Sequence, residues 1–329
     1  MPSDEVIGVD LGGTAIKLAR FSSDGDLLAE AELPTPQPAV PGAVTMALCS
    51  AIEDIDPDHR AGRVGVGLPG PMDAAARVAR VCINLPGWEE VPLADWLEPR
   101  LDRRVTLAND GNCAVVGEAW LGAARDVNDV VLLTLGTGVG GGVLLGGQLF
   151  TGHNGAAAEP GLIGVQPDGP ACNSGNRGSL EQYASIAALR RLCDRDPKDL
   201  SVLADRGDPS ALHVWERYGV QLGVGISSLV YVFTPQLVLL GGGAGWSSAS
   251  LPSHRAAGGG ATGSSDFSGG SAHRGWFAGQ RSGKARRCSS GSAAAERDDG
   301  LRLIGLDVHR PRAFSGSAVP CRCRPPCRC

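Results

Sequence analysis

Residues 5–21, EVIGVDLGGTAIKLARF, predict two short β-strands joined by a turn at Gly12-Gly13. Apolar residues dominate both sides of the turn, and two glycines between such segments are typical of a β-hairpin. Residues 129–150, DVVLLTLGTGVGGGVLLGGQLF, have the same form, with Gly136-Thr137-Gly138 at the turn. A strand–turn–strand unit that occurs twice indicates a chain built from two similar halves.

Strands and helices alternate through the rest of residues 1–245. Apolar residues spaced by three and four predict helices, and short apolar segments bounded by turn residues predict strands. The expected helices lie at 39–55, 111–124, 180–194 and 210–233, and the further strands at 27–33, 62–70, 103–110 and 235–245. This order predicts an α/β fold with two domains, residues 1–115 and 116–245.

Residues 246–329 have a different composition, in which Gly, Ser, Ala and Arg dominate. Only residues 300–308, GLRLIGLDV, are apolar enough to predict a strand. Such a segment buries too little apolar surface to offset the entropy of ordering it, so we expect it to be disordered or poorly packed. A non-native, out-of-frame extension is the leading explanation, and a genuine basic tail is the alternative.

Composition and charge argue against several classes of protein. The 329 residues contain no apolar run of the ~20 residues that span a bilayer, and the acidic N-terminus lacks the basic start of a secretory signal. Residues 1–245 carry 17 basic and 30 acidic side chains, whereas the remainder carries 13 and 5. An acidic body gives no support for nucleic-acid binding. We expect a cytoplasmic protein without membrane or nucleic-acid partners.

Both glycine turns have the chemistry of phosphate sites. Glycine N–H groups can approach an anion closely, the Thr14 hydroxyl can donate a hydrogen bond, and Asp10 suits a hydrated Mg²⁺. The turn at 136–138 lacks the lysine of a Walker A loop, and a strand follows it where a dinucleotide fingerprint needs a helix. For each glycine turn taken alone, a turn that binds no ligand is the alternative, but two such turns in one chain favour a nucleotide site. Gly241-Gly242-Gly243 could line the base or ribose, although alone it favours a plain turn.

Six motifs follow one another along the chain: DLGGTAIK (10–17), GLPGPMD (67–73), NLPGW (84–88), ANDGNCAVVGEAWLG (108–122), LGTGVGGG (135–142) and GSLEQYAS (178–185). In this order they resemble the ROK family of sugar kinases, and most closely its bacterial glucokinases of the cyanobacterial type. The resemblance covers residues 5 to about 245. It implies the actin/hexokinase fold, in which two ribonuclease-H-like domains hold ATP and a hexose in the cleft between them.

The resemblance also implies roles for single residues. Asp110 would be the general base for the sugar hydroxyl, and a helix N-cap is its structural alternative. Hexose contacts are implied for Asn84, Asn109, Glu159 and Glu181, whose amide and carboxylate groups suit vicinal hydroxyls, although a solvated surface position is the common fate of a glutamate. ATP contacts are implied for Asp10, Gly12, Gly13, Thr14, Lys17, Gly136, Thr137, Gly138, Gly242 and Gly243, with Mg²⁺ carried by ATP near Asp10.

The chain departs from the family pattern at the loop CNSGNRGSLE, residues 172–181. The pattern has a histidine after E-x-G and three cysteines in C-x-C-G-x-x-G-C-x-E. Here Leu162, Ser174 and Ser179 occupy three of those positions, and only Cys172 remains. Leucine cannot bind zinc and serine binds it poorly, so we expect no structural zinc. Leu162 also removes a sugar contact, which leaves the hexose less defined.

The expected activity is ATP-dependent phosphorylation of a hexose, with the 6-hydroxyl of glucose as the leading acceptor. Another hexose or an N-acetylated amino sugar is the first alternative. The altered C-terminus predicts weak or absent turnover, and a catalytically inactive sugar-binding protein is a further alternative. A ROK transcriptional repressor would need a DNA-binding domain before the kinase fold, and here the first motif begins at Asp10. The sequence does not determine the oligomeric state, and a homodimer is compatible with it.

Overall fold

The computed structural model describes residues 3–82 and 84–242 together with the backbone of residues 302–305. The strands of the first half are β1 (Ser3–Leu11), β2 (Ala15–Phe21), β3 (Leu27–Pro34), β4 (Ala61–Leu68), β5 (Ala79–Val81), β6 (Glu89–Val91) and β7 (Arg104–Asn109). Its helices are α1 (Pro41–Ile55) and α2 (Leu93–Leu101). The main sheet has the order β3-β2-β1-β4-β7, and β5 pairs with β6.

The second half begins with helix α3 (Asp110–Trp120). Its strands are β8 (Val130–Leu135), β9 (Val139–Leu145), β10 (Gln148–Leu149), β11 (Leu237–Gly241) and β12 (Arg302–Gly305), which form a sheet in the order β10-β9-β8-β11-β12. A short 3-10 helix (Pro160–Leu162) precedes α4 (Glu181–Ala184), α5 (Ile186–Leu192), α6 (Pro197–Asp205) and α7 (Pro209–Phe233). Strand β12 lies inside the one tail segment predicted to form a strand. The rest of residues 246–329, for which disorder was predicted, lies outside the described residues.

The predicted repeat is present in the two sheets. In the first, β1 forms an antiparallel hairpin with β2 and pairs in parallel with β4. In the second, β8 forms an antiparallel hairpin with β9 and pairs in parallel with β11. Both glycine turns therefore connect the first two strands of equivalent sheets. The predicted domain boundary after residue 115 falls inside α3, where Ala114 and Val115 pack in one apolar cluster with residues of β8, β9 and β11.

Each sheet has its own apolar core. Helix α1 buries Val44, Leu48 and Ile52, which lie four residues apart and so share one face of the helix. They belong to one buried cluster with the inward-facing residues of β1 and β4. In the second half, Trp215, Tyr218 and Leu222 of α7 lie in one cluster with residues of β8, β9 and β11. The strand ends that carry the glycine turns are thus anchored in two separate cores.

A buried charge cluster fixes the end of α1 in the first half. The Asp56 carboxylate, at 0% exposure, accepts hydrogen bonds from the N–H groups of Arg60 and Ala61 at 3.0 and 2.9 Å. The Arg20 guanidinium donates to it at 2.7 Å, and Arg103 lies 3.1 Å away. These bonds lower the pKa of Asp56 below its usual value, because together they outweigh burial, which is the largest single effect and acts in the opposite direction.

The structure also differs from the sequence prediction in several short elements. The helix predicted over 180–194 is broken at Ser185, whose extended backbone separates α4 from α5 and whose hydroxyl accepts the Ala188 N–H at 3.1 Å. Strands β5 and β6 and helices α2 and α6 were not predicted from the sequence. Strands of three residues, a helix with an internal Pro99 and a helix of only nine residues leave little periodic signal. No helix among residues 3–82 and 84–242 is both long and apolar enough to span a membrane.

Candidate active site

The first glycine turn, Gly12-Gly13-Thr14, joins β1 to β2 and is held from the protein side. The Gly12 N–H donates to the Ala15 carbonyl at 3.0 Å, and the Thr35 hydroxyl donates to the Gly12 carbonyl at 2.6 Å. Asp10 precedes the turn on β1 and lies opposite Lys17 on β2. Gly13 and Thr14 are exposed. The turn therefore bonds its own carbonyl to the protein and presents its tip to solvent, as a phosphate site requires.

The second glycine turn, Gly136-Thr137-Gly138, closes on itself and joins β8 to β9. The Gly136 N–H donates to the Gly138 carbonyl at 2.9 Å, and Thr137 is exposed. Gly242 lies beside this turn, because a Cβ added to it would lie 2.7 Å from the Leu135 nitrogen. Its φ of +109° also favours glycine. Gly243, the other predicted contact in this cluster, lies outside the described residues.

Asn109, rather than Asp110, is the N-cap of α3. The Asn109 side-chain oxygen accepts the N–H groups of Gly111 and Asn112 at 2.8 and 3.3 Å. Its amide nitrogen donates to the Gly70 carbonyl at 3.2 Å, which ties the turn after β4 to the start of the helix. Asn109 is thus bound to the protein through both amide atoms. The neighbour of Asp110 therefore fills the capping role that was the structural alternative for Asp110.

The Asp110 carboxylate remains accessible at the first position of α3. One oxygen accepts the Gly111 N–H at 2.8 Å. Although solvent reaches the side chain, the surrounding protein removes enough hydration to raise its pKa above that of an ordinary aspartate, and hydrogen bonds from Gly111 and Asn109 oppose that rise. A raised pKa moves a carboxylate towards the range in which it can take a proton from a hydroxyl.

Close packing near Asp110 depends on glycines, which allow the start of α3 and the 3-10 helix to approach strand β9 closely. A Cβ on Gly111 of α3 would lie 2.7 Å from the Gly141 nitrogen, and a Cβ on Gly141 would lie equally close to Pro160. A Cβ on Gly161 would overlap the Val139 carbonyl. The start of α3 and the 3-10 helix therefore both pack on β9 through backbone. This arrangement was not predicted from the sequence, although the triple glycine of β9 and the glycine after Asp110 are signals for close packing.

Glu159 lies within electrostatic reach of two other predicted site carboxylates, those of Asp110 and Glu181. Glu159 precedes the 3-10 helix and is partly buried. Burial raises its pKa, and the negative charges of Asp110 and Glu181 raise it further. Two acids with raised pKa values, Asp110 and Glu159, in one region of the fold are typical of a functional site.

Glu181 contacts the second glycine turn directly. It is the first residue of α4, and its Oε2 accepts the Val139 N–H at 3.1 Å. A Cβ added to Gly138 would overlap that oxygen, so the glycine allows the carboxylate to approach. Asn84 is exposed in the turn between β5 and β6, and in the described part of the chain it makes no hydrogen bond to Asp110, Glu159 or Glu181. The structure thus brings Glu159 and Glu181 into the same region as Asp110, and the role of Asn84 stays a prediction.

A cavity of about 360 Å³ lies between the first sheet and α3, and it is lined by Asp110 but not by Glu159 or Glu181. Asp10 and Asp110 reach its wall, which is otherwise lined mainly by glycine and by apolar residues such as Val6, Val116 and Trp120. A sugar, which needs a polar partner for each hydroxyl, would find few in it. Cys113 also lines this cavity, and burial followed by the charge of Asp110 raises the pKa of its thiol to about 12.

The loop at residues 172–181 is held by backbone hydrogen bonds. The Cys172 N–H donates to the Asn176 carbonyl at 2.8 Å, and the Gly175 N–H donates to the Cys172 carbonyl at 3.0 Å. Gly178 has a φ of +62°, and a Cβ there would overlap the Gln166 carbonyl. Leu180 continues the ladder by donating to the Ile163 carbonyl at 2.9 Å. The loop therefore has a defined path that reaches Glu181 through main-chain contacts.

The residues at the family's zinc positions do not fit that metal. Leu162 has no donor atom, and among the described residues no group of three or more His, Cys, Asp or Glu side chains could hold a metal ion. Burial acts to raise the pKa of the Cys172 thiol, but the Ser174 and Ser179 hydroxyls together lower it. The buried Ser179 Oγ has no other hydrogen-bond partner among the described residues.

Two equivalent sheets, a glycine turn on each and a carboxylate cluster beside one of them define a phosphotransferase of the actin/hexokinase fold. The family model of the ROK family matches residues 6–256, and the chain belongs to that family.

Named relatives agree with this assignment. The glucokinase of Thermotoga maritima is 37% identical over 263 residues, which cover 74% of this chain and 83% of that protein. The N-acetyl-D-glucosamine kinase of Shigella flexneri is 33% identical over 253 residues, which cover 72% and 83%. The crystal structure of a ROK family glucokinase from Streptomyces griseus, in complex with glucose and AMPPNP, has a TM-score of 0.61 at 32% identity and covers 73% of this chain and 83% of that one. The predicted fold is confirmed, and the chain is a sugar kinase that phosphorylates a hexose.

Proposed function

We propose that this chain is an ATP-dependent glucokinase that transfers the terminal phosphoryl group of ATP to the 6-hydroxyl of glucose. The observation that carries the proposal is the grouping of Asp110, Glu159 and Glu181 beside the second glycine turn. One carboxylate can take the proton of the attacking hydroxyl, and the others can bind the remaining hydroxyls. Phosphoryl transfer needs mainly such positioning, together with neutralisation of the phosphate charge.

Asp110 is the proposed general base, since its accessible carboxylate has a raised pKa. Glu159 and Glu181 would accept hydrogen bonds from sugar hydroxyls, and Asn84 would complete the contacts from the first half. Asn109 would hold Asp110 in place, because it caps the helix on which Asp110 lies. The charge that these acids place around the hexose favours a neutral sugar over a negatively charged one.

The two glycine turns would bind the phosphate groups of ATP, with Lys17 on the strand that follows the first turn and Gly242 beside the second. Backbone N–H groups are suited to this task because they point at an anion without carrying a charge of their own. A carboxylate such as Asp10 fits the oxygen ligands that Mg²⁺ prefers. When bound with ATP, the ion would neutralise negative charge on the phosphate groups.

Steady-state assays with Mg-ATP and a panel of glucose, mannose, fructose and N-acetylglucosamine test this proposal. A kcat/KM for glucose well above those for the other sugars is expected, and a matched Asp110→Asn variant should lose turnover but still bind glucose. A higher kcat/KM for N-acetylglucosamine would favour the alternative that the Shigella flexneri relative supports. Sugar-dependent thermal stabilisation without turnover would instead favour an inactive sugar-binding protein.

A further inference from the structure

The segment that leads from α4 into α5 contacts both ends of the second glycine turn. The Glu181 Oε2 accepts the N–H of Val139, the residue that follows the turn, at 3.1 Å. At the other end, the Ile186 N–H donates to the carbonyl of Gly136, the first residue of the turn, at 2.8 Å. A segment of six residues, 181–186, thus binds the turn from one side through two hydrogen bonds.

This segment is itself fixed to α7. The Leu180 side chain, at 0% exposure, approaches Gly225 so closely that a Cβ on that glycine would lie 2.6 Å from a Leu180 methyl carbon. The buried Tyr218 hydroxyl donates to the Ala184 carbonyl at 2.6 Å. Leu180, directly before Glu181, and Ala184, two residues before Ile186, are therefore both anchored to α7 in the core of the second half. A contact held so rigidly can fix the conformation of whatever it binds.

A Gly-Thr-Gly turn needs such support if it is to bind an anion tightly. Glycine has the largest conformational freedom of any residue, and ordering it upon binding costs affinity. A turn whose first carbonyl and following N–H are already bonded loses less freedom when a phosphate arrives. Glu181 can make this contact only because Gly138 has no side chain in its path.

We propose that Glu181 and the Ile186 N–H are positioning groups that hold the second glycine turn in its phosphate-binding conformation. Glu181 is also the last residue of the loop at 172–181, so the same residue connects the sugar side of the site to the nucleotide side. This inference rests on the proposed function in one respect, namely that the turn at 136–138 binds phosphate. It assigns Glu181 a second task besides the contact with a sugar hydroxyl.

Ile186→Pro tests the contact without touching any proposed sugar ligand. Proline removes only the donor N–H at a position that otherwise suits it, because Ile186 is the first residue of α5 and Ser185 before it is extended. Ile186→Ala is the matched control, since it shortens the side chain but keeps the N–H. We expect the Kd for MgADP, measured by calorimetry without sugar, to rise about fivefold in the proline variant relative to the alanine variant, as the loss of one hydrogen bond predicts. Equal Kd values would overturn the proposal.

A second pair of variants keeps the proposal falsifiable if the proline variant does not fold. Glu181→Gln removes the charge but keeps an oxygen that can accept the Val139 N–H, whereas Glu181→Ala removes both. The Kd for MgADP should stay within about twofold of the parent for glutamine and rise about fivefold for alanine. The KM for glucose should rise in both. An alanine variant that raises only the KM for glucose would leave Glu181 as a sugar ligand alone.

The two proposals fail in different ways. Because MgADP binding is measured without sugar, a chain that binds the nucleotide but phosphorylates no glucose would contradict the proposed function and leave the comparison of variants intact. A chain that phosphorylates glucose but shows the same MgADP affinity in all four variants would contradict the positioning role alone.

Discussion

Gly111 of α3 and Gly141 of β9 touch backbone to backbone, with an added Cβ on Gly111 only 2.7 Å from the Gly141 nitrogen. Because α3 begins one residue earlier, this contact sets the distance of Asp110 from the second glycine turn. The carboxylate cluster thus depends on two residues that have no side chains.

Gly111→Ala should therefore reduce both stability and turnover. The new methyl group must push α3 away from β9, which is expected to lower the free energy of unfolding by about 1–3 kcal/mol. Displacement of Asp110 should lower kcat more than the KM for glucose. Gly223→Ala in α7 is the matched control, because a Cβ there meets nothing within 4 Å. Urea unfolding and steady-state kinetics on both variants check the expectation, which a fully active Gly111→Ala variant would contradict.

Asp110→Asn should lower kcat by about 10²–10⁴-fold, the usual contribution of a general base. The base must be ionised to take a proton, so kcat of the parent should rise with pH as Asp110 deprotonates. Because loss of hydration raises the pKa of Asp110, this limb should lie above the range of an exposed aspartate. A pH profile of kcat, with the residual activity of the asparagine variant as reference, measures the limb. Persistence of the same limb in Asp110→Asn would assign it to another group.

Glu159→Gln should stabilise the protein near neutral pH while weakening sugar binding. Burial and then the charges of Asp110 and Glu181 raise the pKa of Glu159 in the folded state. The folded state therefore binds a proton more tightly than the unfolded chain. The free energy of unfolding falls as pH rises from the unfolded pKa of this carboxyl to its folded pKa. A neutral glutamine removes this penalty, so Tm at pH 7 should rise and the KM for glucose should increase. A lower Tm at pH 7 would show that the charged Glu159 is stabilising.

Asp56→Asn should destabilise the first half strongly. The change leaves Arg103 and Arg20 beside a neutral group in a buried cluster, and such losses cost about 3–5 kcal/mol. The hydrogen bonds to Asp56 hold its pKa below the unfolded value, so its contribution is complete above that value and is lost as pH falls through the folded pKa. The parent should lose stability in acid more steeply than the variant. Asp58→Asn, at an exposed position nearby, is the control and should change little.

Zinc should be dispensable for folding and activity. Leu162 and two serines replace three of the four family ligands, and main-chain bonds give the loop its path. Elemental analysis of the purified protein should find zinc well below one per chain, and treatment with a chelator followed by return of Mg²⁺ should restore full turnover and the original Tm. Stoichiometric zinc that resists the chelator would contradict this expectation.

The sequence predicted the parts of the site better than their arrangement. Both hairpins could be predicted because strand–turn–strand patterns are local, and the family motifs identified Asp110, Glu159 and Glu181. The break at Ser185 could not be predicted, because the apolar spacing continues through it. The hydrogen bond of Ile186 to Gly136, which requires the helix to stop there, is visible only in the structure. The close packing of Gly111 on Gly141 joins residues on different elements, and no local pattern reports such a contact.

Strand β9 restricts how this enzyme could change in evolution. Gly140, Gly141 and Gly142 each face a different neighbour, namely the Thr134 hydroxyl, Pro160 and Val115, and each would collide with it if it had a side chain. Almost any substitution there disturbs packing before it can alter a contact with the substrate. These three positions therefore tolerate little variation, and a library for altered specificity should leave β9 unchanged.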